Sequence, residues 1–171
     1  MSVGVEARRP PSTVAGSRFL GALLRTVLWI LLGGWVGSWL LFALVVAPTA
    51  FRVLPSPEAA GSLVGPVLDA LHLYGAAAGL ALAALALALR RGPVRVALPL
   101  LMSAACLYSQ FGVSAELAEI RHLAFGPQGS EAVAARFNAL HRLSMEIYSG
   151  VLVAALALVG LHAISDAPSE S

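Results

Sequence analysis

The chain has 171 residues, of which 58% are hydrophobic and only 12% charged, with a formal net charge of +2 and a mean hydropathy of +0.83. Soluble domains carry about 25% charged residues, so this composition does not describe a water-soluble globule. So small and scattered a positive balance also argues against a nucleic-acid partner.

Four apolar runs dominate the chain: 27–51, 70–89, 96–115 and 147–164, holding 25, 20, 20 and 18 residues. A helix rises 1.5 Å per residue, so about 20 residues cross the roughly 30 Å hydrocarbon core of a bilayer. The expected fold is all-α, an antiparallel four-transmembrane-helix bundle within residues 25–164, with spans near 27–51, 68–90, 95–116 and 140–164. The length leaves no room for a second soluble domain.

In chain order, residues 1–24 contain Arg8-Arg9-Pro10-Pro11 and many small residues, and are expected to form a disordered or amphipathic tail. The first apolar run is longer than the 7–15 residues of a secretory signal, and Pro48 would follow a Val45-Val46-Ala47 cleavage site unfavourably, so the run reads as a retained anchor. Pro48 either kinks the outer end of this helix, freeing a carbonyl near Leu44 for His141 or Arg142, or simply ends it.

Ser56-Pro57-Glu58 has the form of a helix start, with a Ser cap, Pro at the first position and an acid in the first turn. A short outer helix is therefore expected before the second span, kinked or restarted at Gly65-Pro66. Arg91-Gly92-Pro93 makes a tight turn into the third span. The lone Cys106 reads as a small buried hydrophobe. Gly126-Pro127-Gln128-Gly129 breaks the chain, and Ser130-Glu131 caps an outer extension of the fourth helix. Residues 165–171 form the closing tail.

Seven arginines (8, 9, 18, 25, 90, 91 and 95) fall on the side of the chain ends, against Arg52, Arg121, Arg136 and Arg142 on the other. That asymmetry places both ends in the cytoplasm, in a bacterial inner membrane. Gly33 with Gly37, and Gly75 with Gly79, form small-xxx-small faces suited to helix packing within the chain or to a second copy.

Ionisable groups at membrane depth are costly. Here they gather at the outer ends of helices as Asp69, His72, Glu116, His141, Arg142, Ser144, Glu146 and Tyr148. His141, Ser144 and Tyr148 lie on one stripe at i, i+3, i+7, beside an Arg142–Glu146 pair at i, i+4. One reading is an interfacial layer of solvated or paired side chains. The sharper one is a shared polar site in which His72 and His141 meet across the bundle and hold a metal or haem. No Cys pair, His-Glu-x-x-His or phosphate-binding loop is present, so the leading expectation is no cofactor and no catalysis. His162 is expected at the opposite interface, and to matter less than Pro48 or His141.

Two segments carry a resemblance. One is Gly34-Trp35 with Phe42-Ala43-Leu44-Val45-Val46-Ala47-Pro48-Thr49-Ala50-Phe51-Arg52-Val53-Leu54, continuing to Glu58-Ala59-Ala60-Gly61; the other is Arg136-Phe137-Asn138-Ala139-Leu140-His141-Arg142-Leu143-Ser144. Together they resemble the four-span membrane family related to transmembrane protein 205, a domain of unknown function, over roughly residues 28–161. Tyr148 stands where that family often has Asn, and Ser114-Ala115 where a Pro often follows the third span. The resemblance implies a four-helix membrane bundle with His141 and Ser144 as motif residues, and no settled activity.

The functional expectation is an integral membrane protein that handles a small molecule or ion or supports a membrane complex. The alternatives are a haem- or metal-binding redox protein and a structural scaffold. The expected partners are lipid and either a second copy or another membrane protein.

Overall fold

Capping chemistry sets where the helices begin. Ser56 Oγ accepts the Ala59 N–H at 3.1 Å, with Pro57 in the first turn, and Ser130 Oγ accepts the Val133 N–H at 3.3 Å. In the computed structural model, which describes residues 11–125 and 129–167, these caps open α3 (Pro57–Ala88) and α6 (Glu131–Asp166). Helix α1 (Pro11–Leu41) passes through a π-helical segment, Phe42–Val46, into α2 (Ala47–Val53). Likewise α4 (Pro93–Tyr108) passes through a second π-helical segment, Ser109–Ser114, into α5 (Ala115–Phe125). Residues 8 and 9, the centre of the Gly126-Pro127-Gln128-Gly129 break and most of the closing tail lie outside the described residues.

The result is four rods, all of them long and apolar enough to cross a membrane: Gly16–Val53, Pro57–Ala88, Pro93–Ala124 and Glu131–Asp166. They form a ring in which each rod packs on the next and the fourth closes on the first. Large apolar side chains such as Ile30, Leu44 and Val153 stay more than 60% exposed, a surface that water would not tolerate over this extent and lipid does. The all-α four-span bundle expected from hydropathy is the observed fold.

The rods are longer than the expected spans. Helix begins at Pro11, inside the segment assigned to the tail, because Pro is preorganised for a first helical turn. The separate outer helix before the second span is instead the first turns of α3, which continues through Pro66 without a break. Packing holds those turns in place: α2 lies alongside, and the Arg121 guanidinium reaches across Gly61 and Gly65 from α5. At 32 to 38 residues, the rods span about 48–57 Å. They therefore project well past a hydrocarbon core of about 30 Å.

Inward positions repeat every three and four residues. On α1 they are Leu28, Leu32, Trp35 and Trp39, with Phe42 next; on the third rod, Pro99, Met102, Cys106, Ser109 and Val113. This is the seam of a left-handed bundle. Its sizes are complementary, since Trp35 of α1 faces the glycines of α3. A Cβ on Gly75 would lie 3.0 Å from Cys106 Sγ and 3.2 Å from Trp35 Nε1, and one on Gly79 would lie 2.6 Å from the Pro99 carbonyl oxygen. Ser103 Oγ donates to the Ala76 carbonyl at 2.8 Å across the same contact. By contrast, a Cβ on Gly33 or Gly37 would meet nothing within 4 Å. Of the two glycine faces, only Gly75/Gly79 is used within the chain.

The turn after α3 closes with the Arg91 N–H on the Ala86 carbonyl at 2.8 Å and the Arg90 N–H on the Leu87 carbonyl at 3.0 Å. This double cap is usually completed by a left-handed glycine. Here Arg90 takes that place, at φ 53°, in a conformation that costs an L-residue about 1–2 kcal/mol.

Substituting Gly79→Ala is expected to lower stability in detergent by about 1–3 kcal/mol through overpacking, whereas Gly33→Ala should stay within about 0.5 kcal/mol of the parent. Thermal melts of the two variants check this, and equal melting temperatures would contradict the α3–α4 contact.

Candidate functional site

Elements from all four rods enclose His72. It is halfway along α3 and fully buried, and neither ring nitrogen is hydrogen-bonded. The Trp39 ring lies 6.2 Å away at 60°, and itself stacks on Tyr148 at 4.4 Å and 16°. Tyr148 Oη donates to the Trp39 carbonyl, so the α6 side chain grips the first rod through both ring and hydroxyl. Stacked aromatic pairs contribute about 0.5–1.5 kcal/mol beyond burial.

The polar groups acting on His72 are Gln110 and Asp69. With its amide nitrogen toward Asp69, Gln110 donates to Oδ1 and to the backbone oxygen of that residue, each at 3.2 Å. This joins the second and third rods one turn from the histidine. Ser109 Oγ, Trp39 Nε1 and Trp35 Nε1 are also buried without hydrogen-bond partners. Buried polar atoms are paired in the great majority of proteins, so this concentration marks the interior around His72 as unusual.

Both π-helical segments border this region. Phe42–Val46 starts three residues after Trp39, and Ser109–Ser114 contains Ser109 and Gln110. Such segments are rare and recur at functional sites. The first one precedes Pro48, whose ring cannot donate to the preceding turn, so the rod continues past the proline by widening. The carbonyl gripped from α6 is that of Trp39, and its donor is Tyr148, not His141 or Arg142 at Leu44.

The remaining sequence candidates divide between interior and surface. Ser144 and Tyr148 are buried, while His141, on the same stripe, is exposed and stacks on Phe137 at 6.3 Å. Thus the bundle encloses His72 and turns His141 outward. Among the described residues no three of His, Cys, Asp or Glu gather as a metal-binding group. Glu116 receives a bidentate pair from Arg136, Nε at 2.7 Å and Nη2 at 2.9 Å, tying α5 to α6 at the surface. Arg142 and Glu146 are exposed and make no ion pair with each other. Trp39 and Ser109 carry no motif; their only mark in the sequence is the spacing of Trp35, Trp39 and Phe42, and of Cys106, Ser109 and Val113.

His162 lies near the end of α6, at the level of the Arg91–Asp166 pair, but inside the bundle. It is fully buried, with both ring nitrogens unbonded, beside Arg91, Arg95 and Asp166. The reason lies in the turn: Arg91 pairs with Asp166, and Arg95 Nε donates to the Leu161 carbonyl at 2.9 Å, so the α3–α4 connection closes over the end of α6.

Residues 30–126 match the family described as the domain of unknown function DUF4149. This is more than half of the chain, and the chain belongs to that family. The match takes in His72, Asp69 and Gln110 and ends before the 136–144 segment. No curated protein and no solved structure matches the chain.

Exposure reverses the order of sensitivity expected for the two histidines. His162→Ala should destabilise the protein by roughly 1–3 kcal/mol, and His141→Ala by no more than about 0.5 kcal/mol. Melting both in the same detergent decides the matter; a larger loss from His141→Ala would refute it.

Proposed function

We propose that this protein is a multi-pass membrane protein that binds and handles a small polar molecule or ion at the His72 centre. The observation carrying this reading is one fully buried histidine whose polar neighbours are the Asp69–Gln110 pair, bordered by two π-helical segments. An ionisable side chain kept inside a membrane bundle marks a ligand, ion or proton site. Imidazole can accept or release a proton, and Asp69 supplies a carboxylate for a cation or for a ligand's N–H or O–H.

The arginine asymmetry supports placing both chain ends in the cytoplasm, in a bacterial inner membrane. The relation to the transmembrane protein 205 family rests on the 34–61 and 136–144 segments and adds no activity. A haem or metal held between His72 and His141 finds little support, since one ring is enclosed and the other faces outward.

A second reading, a scaffold for another membrane helix, is favoured by the open Gly33/Gly37 face, where a Cβ would meet nothing within 4 Å.

Histidine-ring NMR of the purified protein separates the two. With the His72 signals assigned by loss in His72→Gln, a panel of monovalent and divalent cations, small amines and small carboxylates is titrated in. A saturable shift of the His72 signals, weakened at least tenfold in Gln110→Leu, is the expected result. No shift from any class would sink the reading and leave the scaffold, for which Gly33→Leu should abolish association.

A further inference from the structure

We propose that the end of the bundle opposite the His72 centre is a binding site for a phosphate-bearing anion. A cleft of about 650 Å³ opens there, lined by Arg25 of α1, Arg90 and Arg91 of the turn after α3, Arg95 of α4, and Asp166 at the end of α6. Among the described residues, four guanidinium groups against one carboxylate leave three formal positive charges around one space.

The fold does not need most of that charge. Asp166 is fully engaged, Oδ1 by Arg91 and Oδ2 by the Trp29 indole N–H at 3.0 Å. That pair buries the Arg91 side chain to 9% exposure and fixes the wall of the cleft. Among the described residues the Arg95 side chain bonds only through Nε, to the Leu161 carbonyl. The Arg25 and Arg90 side chains make no hydrogen bond among the described residues, although Arg25 acts on Asp166 through space.

Arg90 is the most telling of the four. It holds the left-handed position that glycine fills at lowest cost, while Gly92, two residues on, has φ −53° and does not need to be glycine on that account. Strain of this kind persists at functional sites. The guanidinium fork matches phosphate oxygens two at a time, and unpaired guanidinium groups brought this close repel one another until an anion lies between them. Basic pockets between transmembrane helices at a membrane surface accept phosphate-bearing headgroups. The phosphate belongs either to an anionic lipid or to a soluble phosphate compound, and the chemistry of recognition is the same.

The test uses the full chain in nanodiscs and in detergent. Melting temperatures are compared in phosphatidylcholine alone, in phosphatidylcholine with phosphatidylglycerol, and in detergent with inorganic phosphate or pyrophosphate. Native mass spectrometry reads the retained lipid. Stabilisation by phosphatidylglycerol alone, with its retention, supports a lipid source, and stabilisation by phosphate or pyrophosphate a soluble one. In either case Arg25→Gln/Arg90→Gln should weaken half-saturation at least tenfold, whereas Arg52→Gln should not. Arg90→Gly guards against misfolding, because it relieves the left-handed strain: without anion its melting temperature should equal or exceed that of the parent, yet its response to the anion should fall. No stabilisation by any anion, or stabilisation unchanged in Arg25→Gln/Arg90→Gln, overturns the proposal.

Discussion

The seating of Trp35 against small residues of the neighbouring rods is the contact on which the rest of this bundle depends. Lipid is as apolar as leucine, so burying an apolar face between helices yields little hydrophobic gain. What remains is close packing, and close packing needs shape. The Trp35 indole projects into space that Gly75 and Gly79 leave open, and Trp39, one turn on along the same face, meets His72 and Tyr148. Because α3 and α4 approach closely at Gly79, Ser103 can reach the Ala76 carbonyl. Because Trp39 is fixed there, Tyr148 finds a flat ring to stack on and a carbonyl to bond. His72 is enclosed as a consequence, its ring walled by Trp39 on one side and the π-helical part of the third rod on another.

Spans and caps were legible in the sequence because each is a local property. Twenty apolar residues, or a serine followed by proline and an acid, have the same meaning in almost any surroundings; a glycine–proline pair does not, since Gly92-Pro93 turns the chain while α3 runs unbroken through Gly65-Pro66. Phase around a helix is not local in this sense. Gly33/Gly37 and Gly75/Gly79 have the same spacing, yet only the second pair faces a neighbour, and the choice is made by large side chains on another helix. In a soluble helix polarity would show the phase; here lipid and protein interior are equally apolar, so that signal is lost. His141 illustrates the same ambiguity. It shares a stripe with Ser144 and Tyr148 in the sequence, but lies near the start of a long helix where that stripe is turning out of the bundle.

The π-helical segments lay beyond sequence reading for a different reason. Pro48 announces that the first rod cannot continue with regular hydrogen bonds, but a kink, a stop and a widened turn all answer that constraint. Packing selects among them, and the widened turn keeps Phe42 and Ala50 buried on either side of the proline. The segment Ser109–Ser114 contains no proline at all. Its position beside Gln110 and Asp69 suits a need for polar contact between rods more than any intrinsic preference of its residues.

The two ionisable interiors lie apart along the bundle, His72 halfway along α3 and His162 near the end of α6, and are chemically unlike. Around His72 the surroundings are an amide, a carboxylate and aromatic rings; around His162 they are guanidinium groups and one carboxylate already bound twice. Between them the inward side chains are Trp35, Ala78, Leu82, Met102, Ala155 and Leu158, and the one hydroxyl among them, Ser103, is spent on the Ala76 carbonyl. In the described conformation a charge at one would meet a largely apolar layer, in which the Trp35 indole N–H is the unpaired polar group, before reaching the other, and desolvation there is costly. Each end is thus built to act on its own side of the membrane. A function linking the two would require the tightly seated Trp35 to leave its glycine groove, which places the coupling, if one exists, in the same contact that holds the bundle together.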